Sequence, residues 1–126
     1  MPDTAGWQLH PELQRLESDP IIRKCTGDAF YGSDLERTLH VRGIQELVLM
    51  GYATDSCVDS TLRNAASKEF KLFVISDAHT TNDAPMLKAH LIRDYFSWVW
   101  SDSLARRGIH LLTAAEIQFR DLSVVR

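Results

Sequence analysis

Cysteine is scarce in this chain of 126 residues, with only Cys25 and Cys57 present. Two thiols make no disulfide framework, and neither belongs to a Cys/His cluster with zinc spacing. Basic charge is short as well. Lys and Arg number 14 against 17 Asp and Glu, a net of −3, so a protein that lives on phosphate contacts is excluded and no nucleic-acid partner is expected. No apolar run approaches the ~18–20 residues of a membrane span, so no membrane partner is expected either. The opening residues, Met1-Pro2-Asp3-Thr4-Ala5-Gly6-Trp7, lack the basic and apolar stretches of a signal peptide. The expected compartment is the cytoplasm, where thiols stay reduced. Repeats and low complexity are missing too. What remains is 44% hydrophobic and 25% charged, the composition of a globular domain. The length suits a single domain over residues 1–126, able to bury roughly two-thirds of its unfolded surface.

Residues 1–18 are polar and aperiodic, a loop with one helical turn around Pro11-Glu12-Leu13-Gln14-Arg15. The chain then alternates between two textures. Pro20 to Lys24 reads as a short strand, and Ser33-Asp34-Leu35-Glu36 as a capping box opening a helix with Leu35 and Leu39 on one face. Ile44 to Gly51 contains the run Leu47-Val48-Leu49-Met50, which suits a strand buried on both faces. Thr54 can cap the next helix, where Val58, Leu62 and Ala65 recur at i, i+4 and i+7. Lys71 to Asp77 is another buried strand. Met86 to Leu104 has helical spacing at Leu87, Leu91, Tyr95 and Trp98, although Trp98-Val99-Trp100 also fits a strand. Gly108 to Leu112 is a last strand, and Thr113-Ala114-Ala115-Glu116 a second capping box opening a short helix. Strand then helix, repeated, predicts an α/β fold with a mostly parallel sheet.

In such sheets ligands bind outside the carboxyl ends of the strands. Lys24, the Gly51–Cys57 segment and Asp77-Ala78-His79 all fall there, which collects an amine, a thiol, a carboxylate and an imidazole. Under a Thr54 cap, Cys57 is the third residue of its helix. There the unpaired N–H groups and the helix dipole favour thiolate, and a nearby Lys24 ammonium acts in the same sense. The other reading of Cys57 is inert packing, the usual fate of a free thiol. Cys57 and Arg63 have the Cys-x5-Arg spacing of thiol phosphatases, but the five residues between them hold no glycine for a phosphate-wrapping nest. Asp77 and His79 are two potential metal ligands without a third, so no metal is expected and His79 is read as structural or substrate-facing. Tyr95, Phe96, Trp98 and Trp100 read as core or interface aromatics. Arg106-Arg107 is a solvated pair near a helix end, and Cys25 a passenger.

Three motifs share a pattern: Lys24…Asp28-Ala29-Phe30-Tyr31-Gly32-Ser33-x-Leu35, Gly51-Tyr52-Ala53-Thr54-Asp55-Ser56-Cys57-Val58-x-x-Thr61, and Ser76-Asp77-Ala78. In this order they resemble the isochorismatase-like cysteine hydrolases, a superfamily that includes nicotinamidases, carbamoylsarcosine amidases and ureidoacrylate amidohydrolases. Gly6 to Leu13 also looks like that family's loop before its third strand. The resemblance implies a Rossmann-type three-layer α/β/α fold and no cofactor. It implies a Cys57 nucleophile that attacks a small amide or related C–N substrate, with Lys24 lowering the thiol's pKa. A cis peptide between Tyr52 and Ala53 is implied, with an oxyanion hole made by the Ala53 and Cys57 N–H groups. Tyr52, Phe30 and His79 are the implied substrate contacts. A homo-oligomer is implied as well.

The resemblance also carries a departure. The family's triad Asp ends its first strand in an Asp-x-Gln-like motif, and no such strand precedes residue 19; Asp3 lies in the loop beside Gly6-Trp7. The N-terminal βαβ unit is therefore expected to be missing, about a third of the family domain. By the family's strand order, 3-2-1-4-5-6, the strand at 46–50 then loses a neighbour. Impaired hydrolysis is the expectation for these 126 residues, and the alternative is a non-catalytic α/β module acting through association.

Overall fold

Three aliphatic stretches pair side by side in the computed structural model, which describes Thr4 and residues 8–119. The elements in order are α1 (Leu35–Val41), β1 (Glu46–Tyr52), a π-helical turn (Thr54–Val58), α2 (Asp59–Ser67), β2 (Lys71–Thr80), α3 (Ala89–Ser103), a 3-10 turn (Ala105–Arg107) and β3 (Ile109–Leu112). The sheet has the order β1-β2-β3 and both pairings are parallel. Helices connect the strands, as parallel pairing requires, and the chain has a three-layer α/β fold.

One core holds these elements. Leu72 and Val74 share a face of β2 and cluster with Val58, Leu62, Ala65, Ala66, Trp100 and Ile109. The i, i+4, i+7 spacing thus does what it predicted, turning one side of α2 to the sheet. Trp98-Val99-Trp100 lies within α3 and so is helix and not strand, and Trp100 is fully buried. Its indole N–H donates to Asp59 Oδ1 at 2.8 Å, tying α3 to the start of α2. Tyr95 and Trp98 stay exposed.

The β1–β2 ladder begins in register, with Glu46 opposite Lys71, and breaks between Leu49 and Gly51. Leu49 faces Val74 but Gly51 faces His79, so β2 gains three residues on β1. Gly51 turns the break at φ +122, a conformation that favours glycine. This slip seats His79 beside the end of β1.

Several local expectations yield to their surroundings. Ile21 to Lys24 forms no strand, because no described segment offers it a ladder partner. β1 is half-buried along Leu47-Val48-Leu49 and exposed at Met50, not buried on both faces, because β2 is its only described neighbour. Pro11 and Glu12 make only a turn, closed by Leu13 N–H to His10 O at 3.0 Å. Ser33 does accept an N–H from Leu35, but Glu36 pairs with Lys68 at 2.8 Å and so does not complete the box. α3 starts at Ala89, after Met86 to Lys88, because the Asp83 carboxylate accepts the Ala89 N–H at 2.8 Å. At Thr113 the second box forms from the Glu116 side, with its carboxylate accepting the Thr113 N–H at 2.8 Å, yet a turn and no helix follows. Gly6 and Trp7 of the family-like loop lie outside the described residues.

Candidate active site

β1 ends at Tyr52 and the chain turns directly into helix. The peptide between Tyr52 and Ala53 is cis. Ala53 takes the N-cap place, and its carbonyl accepts the N–H groups of Ser56 at 3.2 Å and Val58 at 3.0 Å. Cys57 therefore lies in the first helical turn, one position further in than a Thr54 cap would put it. Thr54 caps nothing: its buried hydroxyl is 2.9 Å from His79 Nδ1.

Lys24 reaches this turn from 33 positions upstream in the sequence. An ammonium has three donors, and those of Lys24 find Thr26 O at 2.7 Å, Gly27 O at 3.3 Å and Cys57 Sγ at 3.5 Å. With all three engaged, the charge is held in one place. The loop after Lys24 is pinned to α2: Ala29 N–H donates to Thr61 Oγ1 at 3.0 Å, and Asn64 donates to the Asp28 carboxylate. Gly27 passes close to α2, its nearest helix neighbours being Ser60 and Cys57. Sequence reasoning did not assign these anchoring roles to Asp28, Thr61 and Asn64. Thr61 lies four residues after Cys57 and so shares its side of the helix, the spacing that could have found it.

Burial pushes the Cys57 thiol up. The Ser56 hydroxyl, the Lys24 charge and hydrogen bond, and the Ala53 backbone N–H together outweigh it and hold the thiol below its ordinary value. Cys25 is exposed.

The other sequence candidates separate. Tyr52 is exposed beside the turn, its hydroxyl accepting from Asn82 Nδ2 at 2.7 Å. Phe30 is buried in the core, stacked on Phe70 at 6.0 Å between centroids, and is turned inward. His79 is 3% exposed, bonded on both ring nitrogens, and packs edge-on against Trp100; it too is turned inward. The Asp77 carboxylate accepts the Ala114 N–H at 2.8 Å, toward β3 and not toward the thiol. Arg63 pairs with Asp59 at 2.9 Å, so the Cys-x5-Arg spacing encloses no anion site. The expected edge of four groups thus reduces to amine and thiol. Among the described residues no carboxylate bonds to Cys57 or Lys24, and no three His, Cys, Asp or Glu side chains are grouped to hold a metal. A cavity of about 580 Å³ lies beside Lys24, walled by Gln8, His10, Leu13, Ile21 and Arg23.

A parallel α/β sheet with a thiol at the start of the helix after a strand, and an ammonium against it, defines a class of fold and site. Residues 1–107 match the Isochorismatase domain, and the chain belongs to that family. It is 36% identical over 99 residues to the ureidoacrylate amidohydrolase RutB of Variovorax paradoxus (strain S110), covering 75% of this chain and 39% of that protein. It is 32% identical over 84 residues to the streptothricin hydrolase of Streptomyces noursei, covering 67% of this chain and 30% of that one. A crystal structure of an isochorismatase family protein superposes with a TM-score of 0.80 at 28% identity, covering 88% of this chain and 64% of that chain. The chain spans less than half the length of these curated relatives.

Proposed function

We propose that this chain carries the nucleophile, and the cation that activates it, of a hydrolase cleaving a small amide or related C–N bond through a covalent thioester. One observation carries the reading: Lys24 Nζ stands 3.5 Å from Cys57 Sγ at the start of the helix after a parallel strand. The name of the relative from Variovorax paradoxus, an amidohydrolase, supports the same bond type.

In this mechanism the Cys57 thiolate adds to the carbonyl carbon and the C=O electron pair moves to oxygen. The Ala53 and Cys57 N–H groups hold that oxyanion. Collapse of the adduct breaks the C–N bond, the nitrogen takes a proton from solvent water as the amine leaves, and a thioester remains. Water then adds to the thioester and gives a proton back to solvent, replacing the one the amine took, and a second collapse releases the acid and returns the thiolate. Lys24 stays an ammonium throughout and holds the negative charge in place. Tyr52 is the implied substrate contact that remains at the surface. The cycle uses a small-molecule substrate and needs no cofactor.

Among the described residues no carboxylate touches Cys57 or Lys24 to serve as a general acid for the leaving amine. General acid–base help is worth typically ~10²–10⁴-fold, so the 126 residues alone are expected to turn over weakly. A second reading, a non-catalytic module that associates with further copies of itself, is favoured by the place of β1 at one end of the sheet, with β2 its one ladder partner among the described residues. A brief iodoacetamide pulse on the folded chain, read by mass spectrometry, tests the nucleophile. Cys57 should label faster than Cys25, and equal labelling removes the assignment. A panel of small amides and N-carbamoyl compounds, with Cys57→Ala as background, then measures turnover.

A further inference from the structure

Among the described residues the buried polar side chains are Thr54 and His79, and they are bonded to each other. Thr54 opens the turn that carries Cys57, and His79 meets it from β2. Thr54 is the residue after Ala53, whose carbonyl accepts the N–H groups of Ser56 and Val58 on either side of Cys57. His79 reaches Thr54 Oγ1 with Nδ1 at 2.9 Å and Ser97 Oγ with Nε2 at 3.2 Å, and its ring meets Trp100 edge-on at 5.1 Å. A neutral imidazole donates through one nitrogen and accepts through the other, so both hydroxyls are satisfied.

A site that needed only packing would be apolar, as Leu72, Val74 and Ile75 are on the same strand. Burying polar groups costs free energy unless they are hydrogen-bonded. What the pair adds over an apolar contact is direction, because a hydrogen bond fixes an angle and dispersion does not. The chain Ser97–His79–Thr54 runs from α3 through β2 to the first helical residue after Ala53.

We infer that His79 is a positioning residue: through Thr54 it holds the turn from Ala53 to Val58 in the orientation that keeps Cys57 Sγ against the Lys24 ammonium. The inference rests on the proposed role of Cys57 as nucleophile and adds a residue that acts on it without touching substrate.

The test is the pH–rate profile of Cys57 alkylation by iodoacetamide on the full 126-residue chain, with thermal unfolding of the same samples. Lys24 is the charged group against the sulfur, and Arg93 and Asp94 act on His79 from α3; all three are left unchanged. Thr54→Val keeps the side-chain shape and removes the hydroxyl. It should slow Cys57 alkylation at neutral pH by about two- to fivefold, the scale of one neutral hydrogen bond, and move the profile to higher pH. His79→Gln, which keeps a polar group toward Ser97 and loses the contact with Thr54, should do the same. His79→Asn stands an amide where Nδ1 was and should restore most of the rate. If His79 only stabilised the fold, these variants would melt earlier with the Cys57 profile unmoved, and that result overturns the inference. His79→Asn matching His79→Gln overturns it too. If His79→Gln does not fold, Thr54→Val and Ser97→Ala decide by the same profile. A wild-type Cys57 no faster than Cys25 is a separate failure, that of the nucleophile reading, and it is seen without any variant.

Discussion

Replacing Lys24 with methionine probes how the Cys57 thiolate is stabilised. The ammonium and the sulfur are 3.5 Å apart. Two unit charges at that distance attract by about 1.2 kcal/mol in bulk water and by about 4.7 kcal/mol at an effective dielectric of 20. Both groups are only half-buried, so solvent screens the pair and the lower part of that range applies, about 1–2 kcal/mol. That corresponds to a rise of roughly one unit in the thiol pKa. The Ser56 hydroxyl and the Ala53 N–H remain in place, so part of the lowering should survive. Below both pKa values, one unit leaves about a tenth of the thiolate. The more basic thiolate is intrinsically more nucleophilic, with a Brønsted slope of ~0.4–0.5, which offsets about half of that loss on a logarithmic scale. The net expectation for Lys24→Met is a pH–rate profile displaced upward by about one unit and alkylation near neutral pH slower by about threefold. Lys24→Arg keeps the charge and should retain most of the lowering. The assay is a timed iodoacetamide reaction across a pH series, with Cys57 and Cys25 peptides quantified separately. A Lys24→Met profile that overlays the wild type would refute the electrostatic role.

Leu62→Ala empties a fully buried position of the core, which should cost about 2–5 kcal/mol; a urea midpoint unchanged from wild type would contradict the packing described. Burial, and next the charge of Arg93, lower the pKa of His79, while Asp94 opposes them. The unfolded chain therefore takes up a proton at the ordinary value of about 6.5 that the folded chain refuses. The stability involved is fully present above that pH and is lost as pH falls from there toward the folded pKa. Urea titrations from pH 7 to pH 5 should show this slope in the wild type and a flatter one in His79→Asn. Met50 is exposed on β1, an edge strand among the described residues that itself holds no Lys or Pro. Met50→Lys should reduce the self-association expected of such an edge, and sedimentation velocity at matched concentrations would reveal no change if the edge is not the contact.

Much of this molecule was legible in the residues. The aliphatic runs Leu47-Val48-Leu49 and Leu72 to Ile75 became strands, and Val58, Leu62 and Ala65 turned one helical side to the core, because a hydrophobic period is a local property. Lys24 and Cys57 were legible because the motifs that hold them stand whole in the sequence. Pairing decided the rest. Ile21 to Lys24 has strand-like residues but no described partner, so its backbone joins no ladder. Thr54 has the residue type of a cap, yet its hydroxyl goes to His79 because the break at Gly51 slides β2 by three residues and seats the imidazole there. Asp77 and His79 looked like neighbours at one site, but side chains near a strand end follow the register. One reaches Ala114 and the other enters the interior. Residue type and spacing set what each group can do within its own segment. Which distant donor meets which acceptor depends on strand register and helix packing, and those are settled only when the whole core closes.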